Sequence, residues 1–161
     1  MNVPMISSGG GIIGKYIALR LEKNNIDSII IEKSESSSPP QNGIRTVTLN
    51  ENSIQLLKDV GITPKFSKVE LINVFDAEGS GKIKFAATDI NAETLSYVIY
   101  FDELHAQTLS LCRKRTYFKN QINTIQNFNS ESDSEVILQD DTLIKTSVIA
   151  GCDGRNSNVA K

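Results

Sequence analysis

Gly9, Gly11 and Gly14 sit at G-x-G-x-x-G spacing, and an apolar-periodic run to Lys23 and the strand-like Ser28-Ile29-Ile30-Ile31-Glu32 follow them. That order constrains the chain more than any other feature. It reads as a dinucleotide-binding βαβ unit: the first glycine permits a tight turn, the second lets the backbone approach a pyrophosphate, and the third lets the helix pack on the strand. The helix that starts there offers unpaired N–H groups and the positive end of its dipole, which suits phosphate oxygens. Glu32 follows Gly14 by 18 residues, near the offset of about 20 at which an acid takes ribose hydroxyls. A carboxylate there favours the unphosphorylated ribose of FAD or NAD over NADP. Three close glycines also make an ordinary turn, so the reading rests on the strand, helix and acid in order.

The segment before the glycines fits less well. Val3-Pro4-Met5-Ile6-Ser7-Ser8 is short, carries a proline and turns polar, whereas a central parallel strand is richer in apolar residues. A poor first strand is expected.

A chain of 161 residues with 39% apolar and 22% charged content can bury one real core, so a single soluble domain is expected. The net charge of −2, with no basic block, gives no case for nucleic acid. No apolar run approaches a membrane span and no signal-peptide layout opens the chain, which points to the cytoplasm. Cys112 and Cys152, with one histidine, assemble neither a disulfide framework nor a metal-ligand set, and read as small buried or half-buried side chains.

Further along, helix one is expected from about Gly14 to Lys23 with Ile13, Ile17, Ala18 and Leu21 towards the sheet, ended by Asn24-Asn25. Lys33 to Gly43 reads as a polar surface loop, and Ile44 to Leu49 as an extended segment before a helix over Asn52–Val60. Arg45 reads on composition as a solvated charge; at the mouth of a dinucleotide site the same guanidinium neutralises phosphate. Lys68–Val74, Lys82–Ala86 and Leu95–Ile99 read as an antiparallel insertion on the parallel sheet, with a turn at Asp76–Gly79. Asp102–Lys114 reads as a helix facing inward through Leu104, Thr108 and Leu111, with His105 on its surface. Tyr117 and Phe118 begin a further strand region, Gln126–Glu135 reads as a polar loop, Glu135–Lys145 as a hairpin around Asp140-Asp141, and Ser147–Ala150 as a last strand feeding Gly151-Cys152-Asp153-Gly154-Arg155-Asn156-Ser157. A strand ending in Gly-x-Asp-Gly places a carboxylate at the ligand-binding edge of a parallel sheet.

The ordered set of Gly9–Gly14, Glu32, Arg45–Leu49, Val74–Gly79, Leu95–Ile99 and Gly151–Ser157 resembles the N-terminal part of the FAD-dependent aromatic hydroxylases, ubiquinone-biosynthesis type. The resemblance implies an α/β, Rossmann-like FAD-binding fold with a parallel sheet and an antiparallel β insertion at about residues 68–99. Members are more than twice as long, so it also implies a partial FAD-binding domain over 1–161, truncated relative to the family and incomplete alone. By the resemblance, Gly9, Gly11 and Gly14 face the FAD pyrophosphate, Glu32 the adenosine ribose, Arg45 lies beside the cofactor, and Asp153 belongs to the motif around FAD and NAD(P)H. The candidate cofactor-binding residues are therefore Gly9, Gly11, Ile12, Ile13, Gly14, Glu32, Lys33, Arg45, Asp153 and Gly154; no catalytic residue and no metal ligand is named. The implied reaction is reduction of flavin by NAD(P)H, activation of oxygen, and transfer of one oxygen to a polyprenylphenol-like aromatic ubiquinone precursor. A second polypeptide supplying the missing half, an aromatic substrate and at most peripheral attachment to the inner membrane are the expected partners. The sequence departs from the family at Tyr100-Phe101-Asp102, where relatives carry polar residues near the flavin. That departure leaves open a non-catalytic nucleotide-binding remnant or interaction module.

Overall fold

The computed structural model describes residues 1–34, 44–118, 120–126, 134–155, 157 and 159. In chain order the elements are β1 (Met5–Ser8), α1 (Ile12–Lys23), β2 (Ser28–Glu32), β3 (Thr46–Leu49), α2 (Glu51–Asp59), β4 (Ser67–Val69), β5 (Leu71–Phe75), β6 (Lys82–Ala86) and β7 (Ser96–Tyr100), then α3 (Phe101–Cys112), β8 (Thr116–Phe118), β9 (Ile122–Gln126), β10 (Ser134–Leu138), β11 (Leu143–Thr146) and β12 (Val148–Gly151). They form two compact units, residues 1–39 with 105–161 and residues 40–104, the division falling within α3.

The first unit holds a parallel sheet in the order β12-β1-β2-β8 and an antiparallel sheet in the order β11-β10-β9. Ile29 and Ile31 of β2 join Val3, Ile6, Ile122, Val136, Leu138 and Ile144 in one buried cluster. Strand alternation sends the intervening Ile30 to the opposite face, where α1 packs on β1 and β2. Each of these side chains contributes roughly 1.5–3 kcal/mol of transfer free energy.

The expectation of a poor first strand is corrected: β1 is an inner strand, paired on both sides, with Ile6 fully buried and Ser7 and Ser8 almost so. Pro4 costs nothing because it precedes the strand, and its carbonyl accepts from Val148 N–H. The two serines are tolerated inside because each has a partner on the loop after β12: Ser7 bonds the Cys152 thiol, and the Ser8 hydroxyl donates to Asp153.

The inward face of α1 is also shifted. The helix starts at Ile12, and the buried residues are Gly14, Lys15, Ala18 and Leu19, while Ile13 is exposed and Ile17 and Leu21 are half-buried. Small Gly14 and Ala18 let the helix approach the sheet, which the larger Ile13 stripe would hold off. His105 is buried on α3 rather than on its surface, and Leu111 is exposed where Cys112 is buried. The strand region expected to begin at Tyr117-Phe118 divides in two: β8 pairs parallel with β2, and β9 pairs antiparallel with β10.

In the second unit, β7 pairs antiparallel with both β3 and β4. Asn50 caps α2, its Oδ1 accepting from Ser53 N–H at 2.8 Å, and Gly61 ends the helix at φ 81°. The expected single strand over Lys68–Val74 is two, broken at Glu70: β4 pairs with β7, whereas β5 and β6 form a separate hairpin. These strands lie in sheets of their own and not on the parallel sheet, and the antiparallel pairing begins at Thr46. Most of the Lys33–Gly43 and Gln126–Glu135 loops lies outside the described residues.

Candidate functional site

The carboxyl ends of β1, β2 and β12 meet at a cleft of about 1030 Å³ in the first unit, lined by Ser8, Gly9, Gly11, Glu32, Asp153, Gly154 and their neighbours. Parallel strands aim their following loops at this edge, which is where such sheets bind ligands. The backbone fixes the loops together. Gly9 N–H donates to Ile31 O at 2.8 Å and Cys152 N–H to Ser8 O at 2.7 Å.

The glycines divide the work. Gly9 has φ 102°, and a Cβ there would overlap the Cys152 carbonyl; a Cβ on Gly14 would overlap the Gly9 carbonyl. Both are needed for the turn itself. Gly11 differs: nothing lies within 4 Å of where its Cβ would be. It caps α1 with no side-chain hydrogen bond, and the first turn carries no acidic residue. The helix N-terminus therefore presents amides and a positive dipole to open space, an electrostatic seat for an anion. Ile12 and Ile13 contribute these amides; their side chains are not part of the cleft wall.

Glu32 closes the opposite side. Its Oε2 accepts from Gly10 N–H at 2.6 Å and its Oε1 from Ser34 N–H at 2.9 Å, while its carbonyl accepts from Asn120 N–H at 3.1 Å. A carboxylate has about four acceptor sites, so two amides leave capacity for hydroxyl donors in the cleft. Lys33 is exposed beside it. Asp153 takes the Ser8 hydroxyl on Oδ2 at 3.2 Å, and Gly154 follows at φ 81°.

The structure thus brings Gly9, Gly11, Glu32, Lys33, Asp153 and Gly154 to one cleft, with Gly14 and the Ile12–Ile13 amides at its helix. Arg45 belongs to the second unit, where its guanidinium lies 4.1 Å over the Phe101 ring and its carbonyl accepts from Phe101 N–H.

Sequence reasoning missed Ser8, Ser34, Asn120 and Gln121, all on the cleft wall. Asn120 is buried, and its Oδ1 accepts from the Gln121 and Gln139 amides at 3.0 and 3.2 Å, pinning the wall to the β10–β11 hairpin. The available signal was the polar Asn120-Gln121 pair between two strands. The surroundings of both cysteines favour the thiol over the thiolate: burial pushes Cys112 up to about 11, and burial followed by the Asp153 charge raises Cys152.

The open cradle at Gly11, the acid-free first turn and the Glu32 carboxylate have the chemistry to fit a dinucleotide. Comparison with known proteins gives the family. The FAD binding domain family matches residues 3–161. The chain is 25% identical to the mitochondrial ubiquinone biosynthesis monooxygenase COQ6 of Dictyostelium discoideum, over 98% of this chain and 38% of that protein. It is 23% identical to the FAD-dependent monooxygenase andE of Emericella variicolor, over 99% of this chain and 35% of that protein. Among solved structures, PqsL of P. aeruginosa in complex with 2-aminobenzoylacetate superposes with a TM-score of 0.82 at 16% identity, covering 99% of this chain and 45% of that one. The 2,6-dihydroxypyridine-3-hydroxylase from Arthrobacter nicotinovorans gives a TM-score of 0.75 at 16% identity, covering 100% of this chain and 39% of that one. The chain spans less than half the length of these relatives. It belongs to the FAD binding domain family, and in sequence and fold it matches FAD-dependent monooxygenases.

Proposed function

We propose that this chain is the FAD-binding portion of an NAD(P)H-dependent flavin monooxygenase that hydroxylates an aromatic ring. The observation that carries this reading is the placement of an open, acid-free helix N-terminus opposite Glu32 in one cleft. Gly11 and the Ile12–Gly14 amides would hold the pyrophosphate, and Glu32 the adenosine ribose hydroxyls. The apolar Ile31 and Ile122 beside Asn120 and Gln121 would flank the base. Bound FAD supplies the redox chemistry; the protein's share is to seat it and keep water away. The match to COQ6 favours a polyprenylphenol-like ubiquinone precursor as the ring. Such a substrate suits peripheral attachment at a membrane surface, and no helix among the described residues is long and apolar enough to cross one.

A non-catalytic nucleotide-binding module is the second reading. It is favoured by Arg45, whose guanidinium is stacked on Phe101 at the very segment where the family's polar residues are replaced. Visible absorbance of the purified chain with and without FAD, followed by fluorescence titration and titration with ADP, separates the two. A flavin spectrum that survives desalting supports the monooxygenase portion. ADP binding without retained flavin supports the second reading, and binding of neither overturns both.

A further inference from the structure

Lys15 follows the last glycine of the cradle, within the first turn of α1, and its side chain is fully buried. Its Nζ lies 3.1 Å from Nε2 of His105 on α3, itself buried. The layer around them is polar: the Thr108 hydroxyl donates to the His105 carbonyl at 2.9 Å, and the Cys112 thiol donates to the Lys15 carbonyl at 3.4 Å. The ion pairs Lys68–Glu93, Arg115–Glu22 and Lys145–Glu135 do not include Lys15. An aliphatic side chain would fill this space without cost, whereas a buried ammonium costs several kcal/mol unless a negative charge offsets it.

The offset is available one helical turn away. The N-terminus of α1 is the anion seat, and Glu32, on the same cleft, is near enough for its charge to act on the Lys15 amine. Given that the cleft is a nucleotide site, we propose that Lys15, held by His105, is a buried proton acceptor that becomes charged when a pyrophosphate seats on α1, so that nucleotide binding takes up a proton. The neutral amine and the ammonium both donate to the Nε2 lone pair, with His105 protonated on Nδ1. Lys15 goes from –NH₂ to –NH₃⁺ with a proton from solvent, and the hydrogen bond survives.

The surrounding groups set the balance. Burial holds the Lys15 amine below the ordinary lysine range, while Cys112 and Glu32 pull it back up. Arg115, paired with Glu22, faces Cys112 at the end of the layer, and β1 contributes no titratable side chain.

Calorimetric titration with ADP in buffers of different ionisation enthalpy, above about pH 8 and so clear of the phosphate pKa of about 6, tests this. The wild-type chain should take up protons on binding and bind more weakly as pH rises. Lys15→Met should bind about tenfold more weakly at the low end of that range, with no uptake and no pH trend, as expected for loss of one unit charge near the phosphates. His105→Gln retains an acceptor for the amine and should retain uptake. Wild-type binding without proton uptake, or equal uptake in Lys15→Met, overturns the coupling alone. A wild-type chain that binds no ADP overturns the site reading beneath it.

Discussion

The Glu32 carboxylate accepts the Gly10 amide at 2.6 Å and, on its other oxygen, the Ser34 amide at 2.9 Å. One side chain therefore ties the glycine turn after β1 to the exit of β2. The residue proposed to read the ribose also holds the shape of the cleft. Each role calls for an acid, which is why loss of the charge should register twice.

Glu32→Gln offers the two amides one oxygen in place of two. An unsatisfied amide costs about 1–3 kcal/mol, so urea denaturation should show a loss in that range. ADP should bind about tenfold more weakly, since hydrogen bonds to charged groups contribute about 1.5–3 kcal/mol. A 2′-phosphorylated adenosine nucleotide should lose far less, because the carboxylate that repels its phosphate is gone. Equal losses for both nucleotides would remove Glu32 from the ribose site.

The glycines should separate folding from binding. Gly9→Ala meets both a positive φ of 102° and the Cys152 carbonyl, so it should cost about 2 kcal/mol or more. Gly11→Ala enters open space and should cost under about 1 kcal/mol, mostly as a poorer cap. Its methyl nevertheless stands where a phosphate would approach. Chemical denaturation paired with FAD titration should find Gly9→Ala unstable and Gly11→Ala stable but weak in binding; a Gly11→Ala chain with unchanged affinity would contradict the cradle.

What the sequence made legible was local and periodic: the βαβ order, Glu32 at the end of β2, the helix over about Asn52–Val60 and the Asp140-Asp141 hairpin all come from spacing and turn chemistry. What escaped depends on partners distant in sequence. Ser7 and Ser8 look wrong for an inner strand until the loop after β12, more than 140 residues later, provides their acceptors. Lys15 and His105 each look like surface residues, and only the packing of α3 on α1 buries both. The break at Glu70 was invisible because strand alternation continues across it while the pairing partner changes.

The β5–β6 hairpin should be a solubility liability rather than a source of stability. Leu71, Ile72, Val74, Phe75, Ile83 and Phe85 are all exposed on this two-stranded ribbon. An isolated hairpin buries little, and exposed apolar strands template association. Ile83→Thr with Phe85→Thr keeps β-propensity while removing apolar surface. Sedimentation velocity should show less self-association in the double variant, with stability changed by less than about 0.5 kcal/mol. A large loss of stability would mean that these side chains pack in solution.

Cys112 should shape the alkaline limb of the stability curve. Its thiol is fully buried, with burial pushing it up to about 11 against the nearby Arg115 charge. Below an unfolded thiol pKa of about 8.5 both states are protonated and the thiol adds no pH dependence. Above it the unfolded chain releases the proton first, so stability falls as pH climbs and levels off only past the folded value. The depressed Lys15 amine works in the opposite sense, penalising the folded state at lower pH and ceasing to do so as the unfolded lysine deprotonates. The cysteine contribution is therefore isolated by difference. Cys112→Ala should lose about 1 kcal/mol at neutral pH through a small cavity, then lose about 2 kcal/mol less than wild type across the alkaline interval. In the folded chain the thiol should also resist a disulfide reagent that labels it at once in urea. Parallel alkaline limbs for the two proteins, or rapid native labelling of Cys112, would show that the thiol is not sealed beneath α1.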